Sequence, residues 1–384
     1  MRYTIGQLAE IIDGDRGKNY PKQDEFYPQG YCLFLNTGNV TKEGLIFEEN
    51  QFIMKEKDEA LRKGKLKRGD IVYTTRGTVG NAGYYNSSVP YENVRINSGM
   101  VILRSNGEIV DSRFLYQILK SEYYRPYFKQ YCTGSAQPQL PIKNFSQIYL
   151  NVPDIKTQHR IADILSVYDN LIENNQKQIK LLEEAAQRLY KEWFVDLRFP
   201  GHENTKIVDG VPERWSRGLL KELISVNYGK DHKKAPDDGN IPVYGSGGLM
   251  RKCNKSLFSG EAVLIPRKGS LNNIMYVDET FWTVDTMFYA TMKQPHTAVF
   301  VYFFVKAFDM YSMNIGAAVP SMTAKILDAM DVVIPDKETM EKFDKRAKTY
   351  FNKIKTLQGQ NNRLKIARDL LLPKLMYETQ KGDF

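Results

Sequence analysis

VPDIKTQHRIADILSVYDNLIENNQKQIKLLEEAAQRLYKEWFVD, residues 152–196, decides how this chain is built. Ile161, Leu165, Tyr168, Ile172, Asn175, Ile179, Leu182, Ala186, Leu189 and Trp193 recur in it at alternating steps of four and three. That heptad spacing lays one stripe of side chains along one face of a helix. It predicts a helix from Gln158 to Phe194, about 55 Å long at ~1.5 Å per residue. Pro153-Asp154 opens it, with Asp154 placed to cap the first turn and to favour the helix dipole.

The stretch has a second copy. Pro153-Asp154 recurs as Pro335-Asp336, an offset of 335 − 153 = 182 residues. Without a gap, the same offset carries Gly134 onto Gly316, Pro138 onto Pro320, Tyr168 onto Tyr350, Ile172 onto Ile354, Leu182 onto Leu364 and Leu189 onto Leu371. The second seam is Phe343, Ala347, Tyr350, Ile354, Leu357, Asn361, Leu364, Arg368, Leu371 and Leu375. In a parallel pairing by this offset, Asn175 faces Leu357 and Asn361 faces Ile179, burying two unpaired amides at ~1–3 kcal/mol each. In an antiparallel pairing Asn175 faces Asn361 and Ile172 faces Leu364, while small Ala186 and Ala347 face Tyr350 and Leu189. Asn175 and Asn361 are therefore the expected register pair, the alternative being that each touches solvent. Arg368 interrupts the apolar stripe, and Gly359 costs ~1 kcal/mol relative to Ala in mid-helix. Pro373 is expected to end or kink the helix, and Gln380–Phe384 to fray.

Ahead of each helix lies a segment of short apolar runs and Gly, Asn and Ser turns, such as Cys32-Leu33-Phe34-Leu35 and Asp70-Ile71-Val72-Tyr73. These read as strands and loops, and Asp111 to Lys129 reads as a helix behind an Asp-Ser cap. The fold class is thus mixed α/β, of α+β type. In the second copy Gly17-Lys18 answers to Gly229-Lys230 (229 − 17 = 212). Gly69-Asp70-Ile71-Val72, with Arg76-Gly77-Thr78, answers to Gly260-Glu261-Ala262-Val263, with Arg267 and Gly269-Ser270 (260 − 69 = 191). Phe114-Leu115-Tyr116 answers to Phe300-Val301-Tyr302 (300 − 114 = 186). Insertions concentrate in the N-terminal part of each domain, and the polar linker Phe199–Asn204, whose Pro200-Gly201 step reads as a turn, breaks the helix between the copies.

With 384 residues, 42% hydrophobic and 26% charged, the chain has the composition of a folded protein with about two cores. A net charge of +9 and a pI near 9.1 favour a polyanionic partner. Cys32, Cys132 and Cys253 are odd in number and widely spread, which fits a reducing cytoplasm. No ligand spacing links them to His159, His202, His232 or His296, so no metal site is expected. The longest apolar run, Ala298–Val305, is far shorter than the ~20 residues of a membrane helix. No Gly-x4-Gly-Lys-Ser/Thr loop and no Asn-Pro-Pro-Tyr motif occurs. Tyr244-Gly245-Ser246-Gly247-Gly248 reads as a turn rather than a cofactor loop, and neither Pro-Asp step is followed by the Glu-x-Lys of a metal-dependent nuclease. What remains is a binding surface. Phosphates call for basic side chains, and base edges for Asn, Gln, Ser, Thr and Arg near loop glycines. The candidates for DNA contact are Lys18, Thr37, Asn39, Arg76, Thr78 and Gln137 in the first copy, and Lys230, Ser246, Arg267, Lys268 and Ser270 in the second. Among them the repeated Arg76 and Arg267 stand out.

Taken together the chain resembles the specificity subunit of type I restriction-modification systems over essentially its whole length. The residues that carry the resemblance are Gly134-Ser135-Ala136-Gln137-Pro138-Gln139-Leu140, Val152-Pro153-Asp154 to Gln158, Trp193-Phe194-Val195-Asp196 with Phe199-Pro200-Gly201, Val211-Pro212-Glu213-Arg214-Trp215, and Leu370-Leu371-Leu372-Pro373-Lys374-Leu375. The resemblance implies two target recognition domains, 1–152 and 212–334, with a linker at 197–211. Each reads one half of a bipartite double-stranded DNA sequence. Two long antiparallel coiled-coil spacer helices, 153–196 and 335–379, separate them in an internal pseudo-twofold repeat. At ~3.4 Å per base pair, about 55 Å spans at most about 16 unread base pairs. The resemblance also implies a non-catalytic cytoplasmic subunit that docks two methylation subunits and, through the complex, restriction subunits. S-adenosylmethionine, ATP and Mg²⁺ then belong to those partners and no cofactor to this chain. The alternative is a self-sufficient restriction nuclease or methyltransferase with an unrecognised site.

Overall fold

The computed structural model describes residues 1–134, 137–313 and 321–381, the side chains of 379–381 excepted. Ser135, Ala136, Gly316, Pro320 and the tail residues Gly382–Phe384, all invoked above, lie outside the described residues. The chain divides into two compact units, Met1–Asn175 with Gly359–Phe384, and Gln176–Gln358. Each unit contains one mixed domain and a part of both long helices.

In the first unit, strands Ala9–Asp13, Met100–Ser105, Ile71–Thr74 and Ala82–Tyr84 form an antiparallel sheet in that spatial order. A helix, Ser112–Lys120, packs Phe114, Leu115, Ile118 and Leu119 on one face of this sheet. Asp111 caps it by accepting from the backbone N–H of Arg113 and Phe114. The expected helix from Asp111 to Lys129 is in fact two, because Ser121 is extended and a second helix starts at Arg125. Pro126 sits in the first turn of that second helix, where its missing N–H costs nothing. A smaller sheet of Phe52–Ile53, Cys32–Leu35 and Val94–Ile96 lies beside a separate core.

The second unit repeats this plan with six strands: Ile224–Tyr228, Met287–Met292, Phe258–Pro266, Met275–Thr283, Ile241–Gly245 and Gly248–Cys253. Its helix Ala298–Lys306 is nine residues long, as is Ser112–Lys120. The glycine-rich stretch is a tight hairpin, with Gly245 paired to Gly248.

Strand register corrects the alignment of the copies. Leu103 pairs with Ile71 on one side and Ile11 on the other, whereas Ala290 pairs with Val263 and Val226. Ile71 therefore answers to Val263, an offset of 263 − 71 = 192, not 191. Burial agrees: Ile71 and Tyr73, like Val263 and Ile265, join the core that holds the short helix, while Val72 and Leu264 join the opposite core. A slip of one residue would exchange those faces. Gly229 likewise answers to Gly14, not to Gly17. In both, a Cβ would collide with a carbonyl oxygen, that of Asn97 or Val284, so only glycine fits. Between these landmarks the first copy runs 71 − 14 = 57 residues and the second 263 − 229 = 34, so this segment, longer by 57 − 34 = 23 residues in the first copy, accounts for most of the drift.

The first long helix covers Ile155–Tyr190 and ends in a π turn, Lys191–Val195. The second covers Lys337–Lys381. Asp154 accepts from the N–H of Lys156 and Thr157 and from the Thr157 hydroxyl; Asp336 accepts from the N–H and hydroxyl of Thr339. Both Pro-Asp steps are therefore caps. Every seam residue of both helices is buried or half-buried. The helices run antiparallel: Ile161 and Leu165 share a core with Leu372 and Leu375 in the first unit, and Ala186, Leu189 and Trp193 share one with Phe343 and Ala347 in the second. Asn175 Nδ2 donates to Asn361 Oδ1 at 2.9 Å within the seam. Pro373 does not end the second helix, whose last turns bury Leu375 and Met376 against the first domain's core. A Cβ on Gly359 would meet nothing within 4 Å, so packing does not require glycine there. No helix among the described residues is long and apolar enough to cross a membrane.

Arg368 does not disrupt its seam, because Asp169 accepts from its Nη1 at 2.7 Å and from Lys120 Nζ at 2.9 Å. Burial pushes the Asp169 carboxyl up, but the Lys120 and Arg368 cations more than reverse this and hold it below the ordinary carboxylate value. A lowered folded value means stabilisation that is complete above the unfolded value near ~3.9 and is lost as the pH falls through the folded one. Asp169→Asn should therefore lower unfolding stability at neutral pH by about 3 kcal/mol. In urea titrations at a series of pH values, that deficit should shrink below about pH 4.

Candidate nucleic-acid interface

In the first domain the strand Ile71–Thr74 runs into the loop Thr75-Arg76-Gly77-Thr78. The N–H groups of Thr75 and Arg76 both donate to the carbonyl of Gly99, at 2.9 and 3.1 Å. Leu140 N donates to Thr75 O at 2.9 Å, which ties in the segment that carries Gln137. That segment is itself clamped by reciprocal bonds between Thr133 and Gln139. Gly77 has φ 68°, a left-handed turn that leaves Arg76 and Thr78 exposed. Thr37 and Thr78 line a groove of about 900 Å³ with Lys42, Arg125, Lys129 and Gly134.

The second domain builds the same loop. Arg267 N and Lys268 N both donate to Thr286 O, at 2.8 and 3.2 Å, and Met322 N donates to Arg267 O at 2.9 Å. Gly269 has φ 83°. Leu140 and Met322 are themselves related by 322 − 140 = 182 residues. The backbone therefore equates Thr75 with Arg267, Arg76 with Lys268, Gly77 with Gly269 and Thr78 with Ser270. Ser246 joins this loop, since its carbonyl accepts from Asn273 Nδ2 at 2.8 Å and its hydroxyl leaves no space for a Cβ on Gly269. Tyr311 also braces it, donating to Gly269 O.

Three expectations change. The counterpart of Arg76 is Lys268, not Arg267; the Arg267 guanidinium lies 5.4 Å from the Tyr228 ring centroid and reaches Asp285 O, so it is half-spent inside its own domain. Asn39 is buried, with its amide donating to Ile46 O and Glu49 O and its oxygen accepting from Asn36 N, which leaves nothing for a partner. Lys18 and Lys230 are not equivalent: Gly229 answers to Gly14, and Lys18 lies on a separate exposed loop bonded through Gly17 to Asp15 and Tyr20. Lys230 is exposed and anchored by its backbone to Thr283 and Trp282. The groove cations Arg125 and Lys129 escaped sequence reading, although their spacing of four on a short helix places both on one face.

A family model for the type I restriction modification DNA specificity domain matches twice, over residues 1–184 and 212–365. The chain belongs to that family. Each match spans one domain and much of its long helix, so the family unit is the repeat itself. The chain is similar to the type I restriction enzyme MjaIX specificity subunit of Methanocaldococcus jannaschii, 24% identical over 364 residues that cover 83% of this chain and 80% of that one. It is also similar to the HindI specificity subunit of Haemophilus influenzae, 23% identical over 462 aligned positions, with 97% and 99% covered. The crystal structure of the S subunit of a type I restriction-modification system from M. genitalium shares the fold, with a TM-score of 0.59 at 18% identity over 98% of this chain and 95% of that one.

Arg76→Ala and Lys268→Ala should each weaken DNA binding by the assembled complex and lower the slope of log affinity against log salt by ~1. Asn39→Ala should instead cost ~1–3 kcal/mol of domain stability and leave that slope unchanged. Salt-dependent binding isotherms and urea melts of the three variants check both statements.

Proposed function

We propose that this chain is the DNA-reading subunit of a type I restriction-modification complex, each domain reading one part of a bipartite double-stranded target. The observation that carries the reading is the pair of loops Arg76-Gly77-Thr78 and Lys268-Gly269-Ser270. Both are exposed, left-handed at the glycine, and held by the same set of backbone bonds in two domains. A cation followed by a hydroxyl residue suits a phosphate and a neighbouring base edge. Lys18, Thr37, Gln137, Lys230 and Ser246 are further candidates for contact, and the net charge of +9 favours the polyanion. The largest length difference between the domains falls ahead of the equivalent strands Ile71–Thr74 and Phe258–Pro266, as reading two unlike half-sites requires.

The long helices set the number of unread base pairs; the 36 residues of the first amount to about 54 Å. Their exposed apolar side chains, Val167 and Leu171 on the first helix and Ile366 and Leu370 on the second, suit contact with methylation subunits, of which two are expected. Restriction subunits join through that complex in the cytoplasm. S-adenosylmethionine, ATP and Mg²⁺ are assigned to the partners, and this chain performs no chemistry of its own.

Selection from a random duplex library by this chain assembled with its methylation partner tests the reading. Two short sequence blocks separated by a fixed gap are expected. Enrichment of one contiguous block, or of none, would overturn it.

A further inference from the structure

Each domain packs on its long helices through equivalent positions, but the two interfaces differ in chemistry. In the first unit, Asp169 on the first long helix accepts from Gln117 Nε2 at 2.6 Å, Lys120 Nζ at 2.9 Å and, on the second long helix, Arg368 Nη1 at 2.7 Å. The cluster is nearly dry, with side-chain exposures of 7% for Lys120, 10% for Arg368 and 20% for Asp169. The Nε and Nη2 of Arg368 go to its helix neighbour Asp369. The 182-residue offset takes Asp169 to Phe351 and takes Arg368 back to Ala186. The 186-residue offset of the two nine-residue helices takes Gln117 to Phe303. In the second unit those positions form an aromatic contact: Phe303 stands 6.1 Å from Phe351 and 5.5 Å from Tyr190, ring centre to ring centre, with Ala186 fully buried in the same core. The seam amides are unequal in the same way, since Asn175 corresponds to Leu357 and Asn361 to Ile179.

These inequalities decide what either half of the chain can pair with. Two copies of the second half, paired antiparallel, would bury Arg368 against Phe351 and Phe303 with only Asp369 to answer it, and would set Asn361 against Leu357. Two copies of the first half would leave Asp169 its bonds to Lys120 and Gln117 but replace the Arg368 guanidinium with the methyl group of Ala186, and would set each Asn175 unpaired against Ile179. A buried charge or amide that loses its partner is far more costly than one that never had to be buried. Only the first half with the second gives Arg368 the Asp169 carboxylate and pairs both seam amides.

We infer that the Asp169–Arg368 ion pair and the Asn175–Asn361 amide pair are a pairing code, by which each half of this chain accepts the other half and rejects a second copy of itself. A polar group inside an apolar seam is the known way for helices to select a partner. Here the selection keeps two unlike reading domains on one frame, where a duplicated sequence could otherwise assemble like with like.

The full chain, with a protease site inserted between Gly201 and Asn204 and cut after folding, tests the inference. Heavy-isotope and light cut samples are mixed at a urea concentration just below unfolding, so that heavy–light complexes of first with second half report exchange, and the species are weighed by native mass spectrometry. The mixed pairing should exceed its statistical share over both self-pairings by at least ten-fold. Gln117→Phe with Asp169→Phe and Asn175→Leu gives the first half the residues of the second and should raise first-half homodimers at least ten-fold. Should that variant fail to fold, Arg368→Ala alone should raise second-half homodimers. Statistical proportions in the unsubstituted cut chain, or no gain of homodimers in either variant, would overturn the pairing code.

Discussion

A polar atom buried between two helices must find a partner on the facing helix, and that requirement organises this protein. Asn175 meets Asn361, and Asp169 meets Arg368, at only one antiparallel register. Apolar seam residues such as Ile172 and Leu364 would tolerate a shift by a heptad, because burial is non-directional. The polar pairs would not. Once they hold the register, Leu372, Leu375 and Met376 fall into the first domain's core, and Phe343 and Ala347 into the second's. The caps at Asp154 and Asp336 then fix where each domain hands over to its helix.

The same economy of backbone bonding governs the candidate reading loops. A single carbonyl, of Gly99 or Thr286, takes two consecutive N–H groups and turns the chain sharply after a central strand. The glycine that follows is left-handed, and the residues on either side of it face solvent. This arrangement is independent of which side chain precedes the glycine. Arg76 can therefore become Lys268 without disturbing the loop, and a bidentate donor becomes a point charge. A scaffold that holds its loop through backbone atoms leaves the side chains free to diverge.

Features with a period or a local chemical cause were legible in the sequence. The seams, the Pro-Asp caps, the hairpin at Tyr244–Gly248 and the 182-residue frame all follow from residues close together in the chain. Features set by distant backbone were not. Gly69-Asp70 and Gly260-Glu261 look alike, yet the face to which each strand residue points depends on its neighbouring strand, and the true match is one residue further on. Gly14 looks no more special than Gly17 until the carbonyl of Asn97 is seen against it. Asn39 has the right chemistry for a base edge, but Ile46 and Glu49 use it first. Arg368 looks like a flaw in its seam because its partner across the seam, Asp169, lies on the other long helix.

Two reading surfaces on one frame should answer to substitution independently. Methylation mapping of the genome of a host that expresses the complete complex, with the chain intact or carrying substitutions confined to residues 76–78, addresses it most directly. A two-part methylated motif is expected in which those substitutions alter or relax one part only, with the other part and the gap unchanged. Change in both parts, or in the gap alone, would contradict it.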